Sequence, residues 1–434
     1  MDRRLRESIK QHFKNKFPPP KFKPGITPVP VSGKVFDEQE LLKGVAAVLD
    51  GWWTEGHFAQ GFEKAFAKLT GVRYVTLVNS GSSANLIALS SLTAKVFGER
   101  ALKAGDEVIT AATGFPTTVN PILQNGCVPV FVDNDLETKN ATLTSIKKAI
   151  SVKTKAIMMA HTLGNPLPIA GILELAQKYK LWFIEDCCDA LGSRYKNKLV
   201  GAFGHLATFS FYPAHQITMG EGGAVITSNP LIFRALRQFR DWGRDCWCDT
   251  GKDNTCRRRF GWQMGELPAG YDHKYIYSQI GYNLKLTDMQ AAIGLSQLRK
   301  LPRFVKARQN NFKELSDFFE QYERFFICSK SEPESKPCWF GFMLVIRDGA
   351  PFTRLDIVNY LEDKHIATRS LFGGNLLRHP AYLKRSGMRV IGQLMNSDKI
   401  MRDGFWIGVY PGIGKPQLSY IKKCFSDFLE KFVT

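Results

Sequence analysis

Four of the nine cysteines are spaced in a way that could bind a metal centre. Cys188 is followed after 57 intervening residues by Cys246, then by Cys248 after one residue and by Cys256 after seven. Four thiolates can ligate a [2Fe-2S] cluster or a structural zinc ion. The spacing matches neither common ferredoxin pattern, so it leaves a cluster, a zinc site and unligated thiols all open.

Two other groups of polar residues could bind an organic cofactor. The turn Ser80 to Ser83 follows an apolar run at the start of a helix, where free N–H groups and hydroxyls favour a phosphate. Ser210, near another strand end, could add a hydroxyl. Asp186 ends the run LWFIE, where a buried carboxylate needs a cation such as a protonated pyridine nitrogen. Helix capping is the alternative reading of both the serine turn and Asp186.

Short apolar runs that alternate with helical stretches must position these residues. The runs are YVTLV, EVITAATGF, PVFVD, KAIMMAHT, LWFIED, ATFSFY and GAVIT. Strands that are apolar on both faces and alternate with helices are typical of a mostly parallel sheet covered on both sides. Ligands of such sheets bind beyond the carboxyl ends of the strands, where Asp186 and Ser210 lie.

The chain divides into three parts by composition and pattern. Residues 1–34 are basic and Pro-rich, which predicts an exposed arm or an extended strap. Residues 35–304 form the predicted large domain, with a cysteine-bearing insertion near 240–275, and residues 305–434 a small α+β domain. Thr287 and Gln290 form a capping box that opens the helix DMQAAIGLSQLRKL, and we expect Pro302 to end or kink it.

Length and composition exclude several classes of protein. The chain has 434 residues, of which 44% are hydrophobic, so it can bury a large core without disulfides. No run of 18 apolar residues and no signal-peptide pattern is present, so we expect a cytoplasmic protein without a membrane span. The chain has 59 basic and 40 acidic residues, so its net charge is strongly positive. Because no nucleic-acid-binding motif accompanies this charge, an anionic substrate or an acidic redox partner is favoured over nucleic acid.

An ordered set of motifs identifies a family resemblance over residues 50–310. The motifs are TEGHFAQGFEKAFAKLTG, NSGSSAN, TGFPTTVNPI, HTLGNP, EDCCDALG, SFYPAHQITMGEGGAVIT and GYNLKLTDMQAAIGLSQL. Together they resemble the nucleotide-sugar branch of the fold-type I pyridoxal phosphate enzymes, which comprises sugar aminotransferases and sugar 3-dehydratases. The resemblance implies an α/β fold with a mostly parallel seven-stranded sheet in a large domain and a smaller α+β C-terminal domain.

The resemblance also implies roles for residues of the matching motifs. Asp186 would pair with the pyridine nitrogen of the cofactor, and Phe115 would stack on its ring. The phosphate would be held by Ser82, Ser83 and Ser210, with Asn283 reaching in from the second subunit of a homodimer.

One position departs from the aminotransferase pattern. In aminotransferases the segment that matches SFYPAH ends in the lysine that anchors the cofactor covalently, and here it ends in His215. An imidazole has no primary amine, so we expect the cofactor to bind non-covalently as pyridoxamine 5'-phosphate. His215 remains a suitable general base near neutral pH, although a buried histidine satisfied by its neighbours is the common alternative.

The histidine and the cysteine quartet together indicate a reductive reaction. If His215 removes a proton while the C3 hydroxyl of a 4-keto sugar leaves, the cofactor ends two electrons short of its starting amine. An iron–sulfur centre could return those electrons, whereas zinc has no redox chemistry.

The combination resembles the reductive 3-dehydrases of CDP-4-keto-6-deoxyglucose. That resemblance implies a [2Fe-2S] cluster on the four cysteines and an NADH-dependent flavin and iron–sulfur reductase as electron donor. It also implies that Asp189 lies near the ring hydroxyl of the cofactor and that Tyr212 lies near His215. The alternatives are a cluster-free GDP-sugar 3-dehydratase, an atypical sugar aminotransferase and a non-catalytic regulatory relative.

Overall fold

The computed structural model describes residues 1–18 and 21–432 of the chain. Its strands are β1 (Tyr74–Val78), β2 (Glu107–Ala111), β3 (Val128–Val132), β4 (Thr154–Ala160), β5 (Trp182–Asp186), β6 (Arg194–Tyr195), β7 (Lys198–Leu199), β8 (Leu206–Ser210), β9 (Gly223–Thr227), β10 (Phe326–Cys328), β11 (Ser335–Lys336), β12 (Gly341–Ile346), β13 (Arg389–Val390) and β14 (Gly404–Gly408). Its α-helices are α1 (Arg3–Lys16), α2 (Glu38–Leu49), α3 (His57–Thr70), α4 (Gly81–Ser91), α5 (Pro116–Gln124), α6 (Leu143–Ala149), α7 (Ile169–Lys178), α8 (Pro230–Arg240), α9 (Asp288–Phe319), α10 (Arg354–Asp363), α11 (Met395–Asp403) and α12 (Lys415–Leu429).

The central sheet has the predicted, mostly parallel arrangement. Its spatial order is β1, β9, β8, β5, β4, β2, β3 and β13, and only β9 runs antiparallel to its neighbours. Seven strands come from the predicted runs, and the short β13 adds an eighth at one edge. Every residue of β5, β8 and β9 is buried, because helices cover both faces of the sheet. The sequence-based prediction of the fold class is confirmed.

A second, smaller sheet forms in the C-terminal part of the chain. Strand β12 pairs antiparallel with β10 on one side and with β14 on the other. Helices α10 and α12 pack on this sheet through a separate apolar core that includes Phe319, Phe342, Ile357 and Phe425. The predicted strands WFGFMLVI and FWIGVY and the predicted helix RLDIVNYLEDK correspond to β12, β14 and α10.

Helix α9 joins the two sheets, and it is longer than we expected. The capping box of Thr287 and Gln290 is present at its start. Pro302 does not end the helix, which continues to Phe319, so the expected termination is wrong. A proline removes one backbone hydrogen bond, and packing along the helix against α2, α3 and α12 compensates for it. The predicted domain boundary near residue 304 therefore falls inside α9.

The N-terminal segment, which we expected to be an exposed arm or an extended strap, is partly helical. Residues 3–16 form helix α1, which packs against α2 and contains no buried residue. Val29 and Val31 are buried, and Val29 forms a bridge with Ile366. Two prolines of the Pro-rich stretch, at positions 19 and 20, lie outside the described residues, as do the last two residues of the predicted small domain. In the ranges that the structure covers, no helix is long and apolar enough to cross a membrane.

Candidate active site

A cavity of about 530 Å³ opens at the carboxyl ends of β5 and β8. Strand β5 ends at Asp186 and strand β8 at Ser210, and both residues line the cavity. This is the edge at which open α/β sheets bind ligands. The cavity brings together eight of the residues singled out in the sequence, namely Ser82, Phe115, Asp186, Cys188, Asp189, Ser210, Tyr212 and His215.

The N-terminus of α4 forms the part of the cavity that suits a phosphate. Ser80 caps the helix by accepting a hydrogen bond from the backbone N–H of Ser83 at 3.0 Å. The hydroxyl of Ser83 donates to Asn79 at 2.6 Å, so Ser83 belongs to the cap and does not line the cavity. A Cβ atom at Gly81 would lie 2.5 Å from the Cβ of Ser210, so only glycine lets the two elements approach this closely.

The carboxylate of Asp186 is buried and held by three donors. Its Oδ2 accepts from Asn85 Nδ2 at 2.8 Å and from Thr118 Oγ1 at 2.7 Å, and its Oδ1 accepts from the backbone N–H of Cys188 at 3.1 Å. Within the described residues Asp186 pairs with no cationic side chain. A buried carboxylate facing a cavity without a cation fits a protonated pyridine nitrogen.

His215 and Asp189 face each other across the floor of the cavity. Nδ1 of His215 lies 3.4 Å from Oδ1 of Asp189. Both Nδ1 of His215 and Oδ2 of Asp189 are buried and lack a hydrogen-bond partner in the part of the chain that the structure describes. Unpartnered buried polar atoms are costly, so the close approach of the imidazole and the carboxylate is a feature of the site that needs a functional explanation.

Aromatic side chains form the walls of the cavity. Phe115 and Tyr212 remain about half exposed, at 48% and 51%. The ring of Phe340 lies 5.3 Å from that of His215, and the ring of Phe372 lies 6.3 Å from that of Phe115. Aromatic side chains in the lining of a cavity suit a flat aromatic ring.

Several residues of the site were not recognised in the sequence. Asn85 and Thr118 hold Asp186, while Arg369 and Trp406 enter the cavity from the C-terminal part of the chain. Helical position could have indicated Asn85, one turn into the helix that follows the serine turn. Arg369 carries no local signal, because it reaches the cavity only through the packing of the second sheet.

The structure divides the four cysteines between two places. Cys188 lines the cavity just described, whereas Cys246, Cys248 and Cys256 line a second, much smaller cavity. Burial, together with the nearby carboxylates of Asp186 and Asp189, raises the pKa of the Cys188 thiol well above its usual value. One chain therefore gathers three of the four thiols, and the predicted ligand set does not fit within a single chain.

Two of the three clustered thiols contact hydrogen-bonding groups of the surrounding loop. Cys248 Sγ lies 3.0 Å from the hydroxyl of Thr255, and Cys256 Sγ accepts from the backbone N–H of Arg258 at 3.4 Å. Burial acts to raise the pKa of the Cys248 thiol, but the hydrogen bonds from Thr255 outweigh it and the pKa is lowered. Donors directed at sulfur favour the thiolate, which is the form that binds metals.

Asn283 does not reach the cavity of its own chain. It forms a backbone bridge with Asp241, and its Oδ1 accepts from Lys285 Nζ at 3.0 Å. The implied contact with a second subunit therefore stays a prediction.

The residues of the main cavity fit pyridoxamine phosphate. The carboxylate of Asp186 has no cationic partner among the described residues, and the N-terminus of α4 borders the same cavity, so the two suit the ring nitrogen and the phosphate. Helix N-termini bind phosphate through free N–H groups.

Comparisons with known proteins agree with this geometry. Residues 36–426 match the model of the DegT/DnrJ/EryC1/StrS aminotransferase family. The chain is 50% identical over 428 residues to the lipopolysaccharide biosynthesis protein RfbH of Salmonella typhimurium, covering 98% of both chains. It is 50% identical over 412 residues to dTDP-4-dehydro-2,6-dideoxy-D-glucose 3-dehydratase of Saccharopolyspora spinosa, covering 95% of this chain and 89% of that one.

Among solved structures, the chain is similar to the Escherichia coli GDP-4-keto-6-deoxy-D-mannose-3-dehydratase with bound hydrated PLP. The TM-score is 0.82 at 28% identity, over 91% of this chain and 98% of the other. The chain thus belongs to the DegT/DnrJ/EryC1/StrS aminotransferase family, in the dehydratase and aminotransferase group of pyridoxal phosphate enzymes that its motifs resemble.

Proposed function

We propose that this chain removes the C3 hydroxyl from a nucleotide-linked 4-keto-6-deoxyhexose, with CDP-4-keto-6-deoxyglucose as its substrate. The observation that carries the proposal is His215 in a cavity without lysine: none of the described residues that line it has a primary amine. A lysine-anchored transamination cycle is therefore unsupported. The names of the two relatives at 50% identity, a deoxysugar 3-dehydratase and a lipopolysaccharide biosynthesis protein, agree with this proposal.

The side chains of the cavity divide the work of binding and orientation. Pyridoxamine phosphate, when bound, supplies an amine that condenses with the sugar ketone and a ring that accepts electrons. Asp186 binds the ring nitrogen, and Asn85 and Thr118 keep its carboxylate in place. Ser82 and Ser210 bind the phosphate together with the N-terminus of α4.

His215 is the proton carrier of the site. Its Nδ1 faces Asp189 at 3.4 Å, which leaves Nε2 free to take a proton from the reacting carbon and to hold it. Asp189 orients the imidazole. The backbone oxygen of His215 accepts from Arg308 at 3.2 Å, which holds the loop against α9.

The proposal also includes a reductant, because expulsion of the C3 hydroxyl would leave the cofactor two electrons short of its starting amine. We propose a [2Fe-2S] cluster on the cysteine quartet and an NADH-dependent flavin and iron–sulfur reductase as partner of a homodimer. Zinc has no redox chemistry and could not supply these electrons, so the proposed reaction favours an iron–sulfur cluster over zinc on the same thiols.

A cluster-free dehydratase that regenerates its cofactor with glutamate is the second candidate. The relative named GDP-4-keto-6-deoxy-D-mannose 3-dehydratase from Yersinia pseudotuberculosis, 31% identical over 392 residues, favours it. The three clustered thiols favour the reductive reaction instead.

The test is a comparison of reductants on protein purified without oxygen. Iron and acid-labile sulfide are measured first, and the chain is then incubated with pyridoxamine phosphate and CDP-4-keto-6-deoxyglucose. We expect a 3-deoxy product, detected by mass spectrometry, with the reductase and NADH. Product with glutamate alone in iron-free protein would instead establish the cluster-free reaction.

A variant pair tests the role of His215 in the same assay. His215→Asn removes the base, and we expect product formation to fall by about 10²–10⁴-fold. His57→Asn is the matched control, because His57 lies on the surface and pairs only with Asp50. Equal rates for His215→Asn and the parent would disprove the role.

A further inference from the structure

Cys188 is separated from the other three thiols because they lie on different elements of the fold. The Sγ of Cys188 packs against the start of α4, where a Cβ atom at Gly81 would lie 3.1 Å from it. The three other thiols belong to the irregular segment between α8 and α9 and share their cavity with Asp253 and Lys274. A cluster on this quartet needs all four sulfurs at one place, so one chain alone does not complete it.

The segment that carries the three thiols also exposes an unusual number of large apolar side chains. We call this surface the aromatic belt. It consists of Trp242 (43% exposed), Trp247 (43%), Phe260 (59%), Tyr275 (53%), Tyr277 (54%) and Ile280 (95%). Large apolar side chains exposed together on one segment are typical of a contact with another protein.

The mouth of the main cavity also exposes aromatic side chains. Phe115 and Tyr212 line the cavity and yet remain half exposed. The floor behind them carries the carboxylates of Asp186 and Asp189. The belt segment carries Arg257 and Arg258, which form no ion pair among the described residues, whereas Arg259 is paired with Asp272 of its own segment. In a two-fold symmetric dimer, one surface of the first copy meets a different surface of the second copy twice, so the belt can cover the mouth on both sides.

We propose that a second copy of this chain completes the cysteine quartet. Cys188 of one subunit and the partner subunit's Cys246, Cys248 and Cys256 meet where the belt covers the mouth of the cavity. The proposal rests on the proposed function, which supplies the cluster. It places each cluster beside the cofactor cavity of one subunit, on a loop of the other.

A ligand within the same chain is the competing arrangement. His273 is buried beside the three thiols, and its Nε2 lies 2.9 Å from a carboxylate oxygen of Asp245. Its Nδ1 has no hydrogen-bond partner in the described ranges. A histidine held by a carboxylate is a common metal ligand, so the experiment has to separate His273 from Cys188.

The experiment mixes two defective subunits. Cys188→Ser and Cys248→Ser chains with different tags are co-expressed without oxygen, and the two homodimers and the heterodimer are purified. Iron, acid-labile sulfide and the electron paramagnetic resonance signal of the reduced protein are measured for each. We expect almost no iron in either homodimer and about half the parental iron in the heterodimer, because one of its two interface sites then has all four cysteines.

Two control variants make the outcomes decisive. Cys328→Ser, a cysteine outside both cavities, is expected to keep the parental iron, and so is His273→Gln. A heterodimer without iron would overturn the proposal, because the quartet then lies within one chain. Full iron in the Cys188→Ser homodimer would overturn it in favour of His273. Parental protein without iron would instead refute the proposed function, and with it the cluster that the inference needs.

Discussion

The carboxylate of Asp186 is kept in one orientation by donors from three separate parts of the chain. Asn85 lies on α4, Thr118 on α5 and the backbone N–H of Cys188 on the loop after β5. Asn85 is itself fixed, because its Oδ1 accepts from Thr208 at 2.6 Å. A carboxylate oriented in this way presents its charge to the cavity without reorganisation when a cation binds.

Replacing Asp186 with asparagine is expected to weaken cofactor binding. The change removes the charge and keeps the size, so it removes a hydrogen bond between ions that contributes about 1.5–3 kcal/mol. The dissociation constant of pyridoxamine phosphate should therefore rise by about 10–100-fold in a fluorescence titration. Asp317→Asn is the control, because Asp317 lies exposed on α9 and pairs only with Lys313. Unchanged affinity would contradict the assigned contact with the ring nitrogen.

At the scale of elements, the first residue of α9 also serves as the cap of α3. Helix α3 begins after Gly56, which has no side chain to cap it. Asp288 accepts instead from the backbone N–H groups of Gly56 at 3.0 Å, Phe58 at 3.0 Å and Ala59 at 2.7 Å. The same carboxylate lies in the first turn of α9, where a negative charge is favourable. One side chain thus fixes the starts of both helices beside the cofactor domain's core.

Removal of this shared cap should be visible in stability. Asp288→Ala leaves three backbone donors without their charged acceptor, so we expect the free energy of unfolding to fall by about 3 kcal/mol. Urea denaturation followed by circular dichroism measures the change. The exposed Asp317→Ala on the same helix should cost less than about 0.5 kcal/mol. A loss for Asp288→Ala as small as that of the control would show that the cap is dispensable.

At the scale of the whole molecule, one buried guanidinium connects the two sheets. Arg308 on α9 donates to the backbone oxygens of Trp339 at 3.2 Å, Phe340 at 3.3 Å and His215 at 3.2 Å. Trp339 and Phe340 lead into β12 of the C-terminal sheet, and His215 follows β8 of the central sheet. Burial lowers the pKa of Arg308. The Arg308 guanidinium therefore holds the loop that carries His215 against the C-terminal part of the chain.

Loss of the Arg308 hydrogen bonds should lower turnover more than it weakens cofactor binding. In Arg308→Met the loop that carries His215 loses its anchor, and a shift of about 1 Å at the base costs on the order of 10–100-fold in kcat. The affinity for pyridoxamine phosphate, set by Asp186 and α4, should stay within about threefold. Deoxygenation kinetics and a cofactor titration on the same preparation provide the two values. Parental kcat would show that the loop is held by other contacts.

Much of the fold could be predicted from the sequence alone, because its signals are local. Apolar runs of five to nine residues correspond to β1, β2, β3, β4, β5, β8 and β9. The capping box of Thr287 and Gln290 lies within four residues, and the replacement of lysine by His215 is visible in one motif. Hydrophobic periodicity and helix caps involve only a few neighbouring residues, so they can be recognised in the sequence without knowledge of the tertiary structure.

Only the tertiary structure decided which distant residues meet. In the structure Cys188 lies apart from the other three thiols, and Arg369 lines the main cavity. Helix α9 continues past Pro302. The cap of α3 by Asp288 likewise joins residues more than 200 positions apart. Spacing along a chain does not report such contacts, because they arise from the packing of whole helices and sheets against one another.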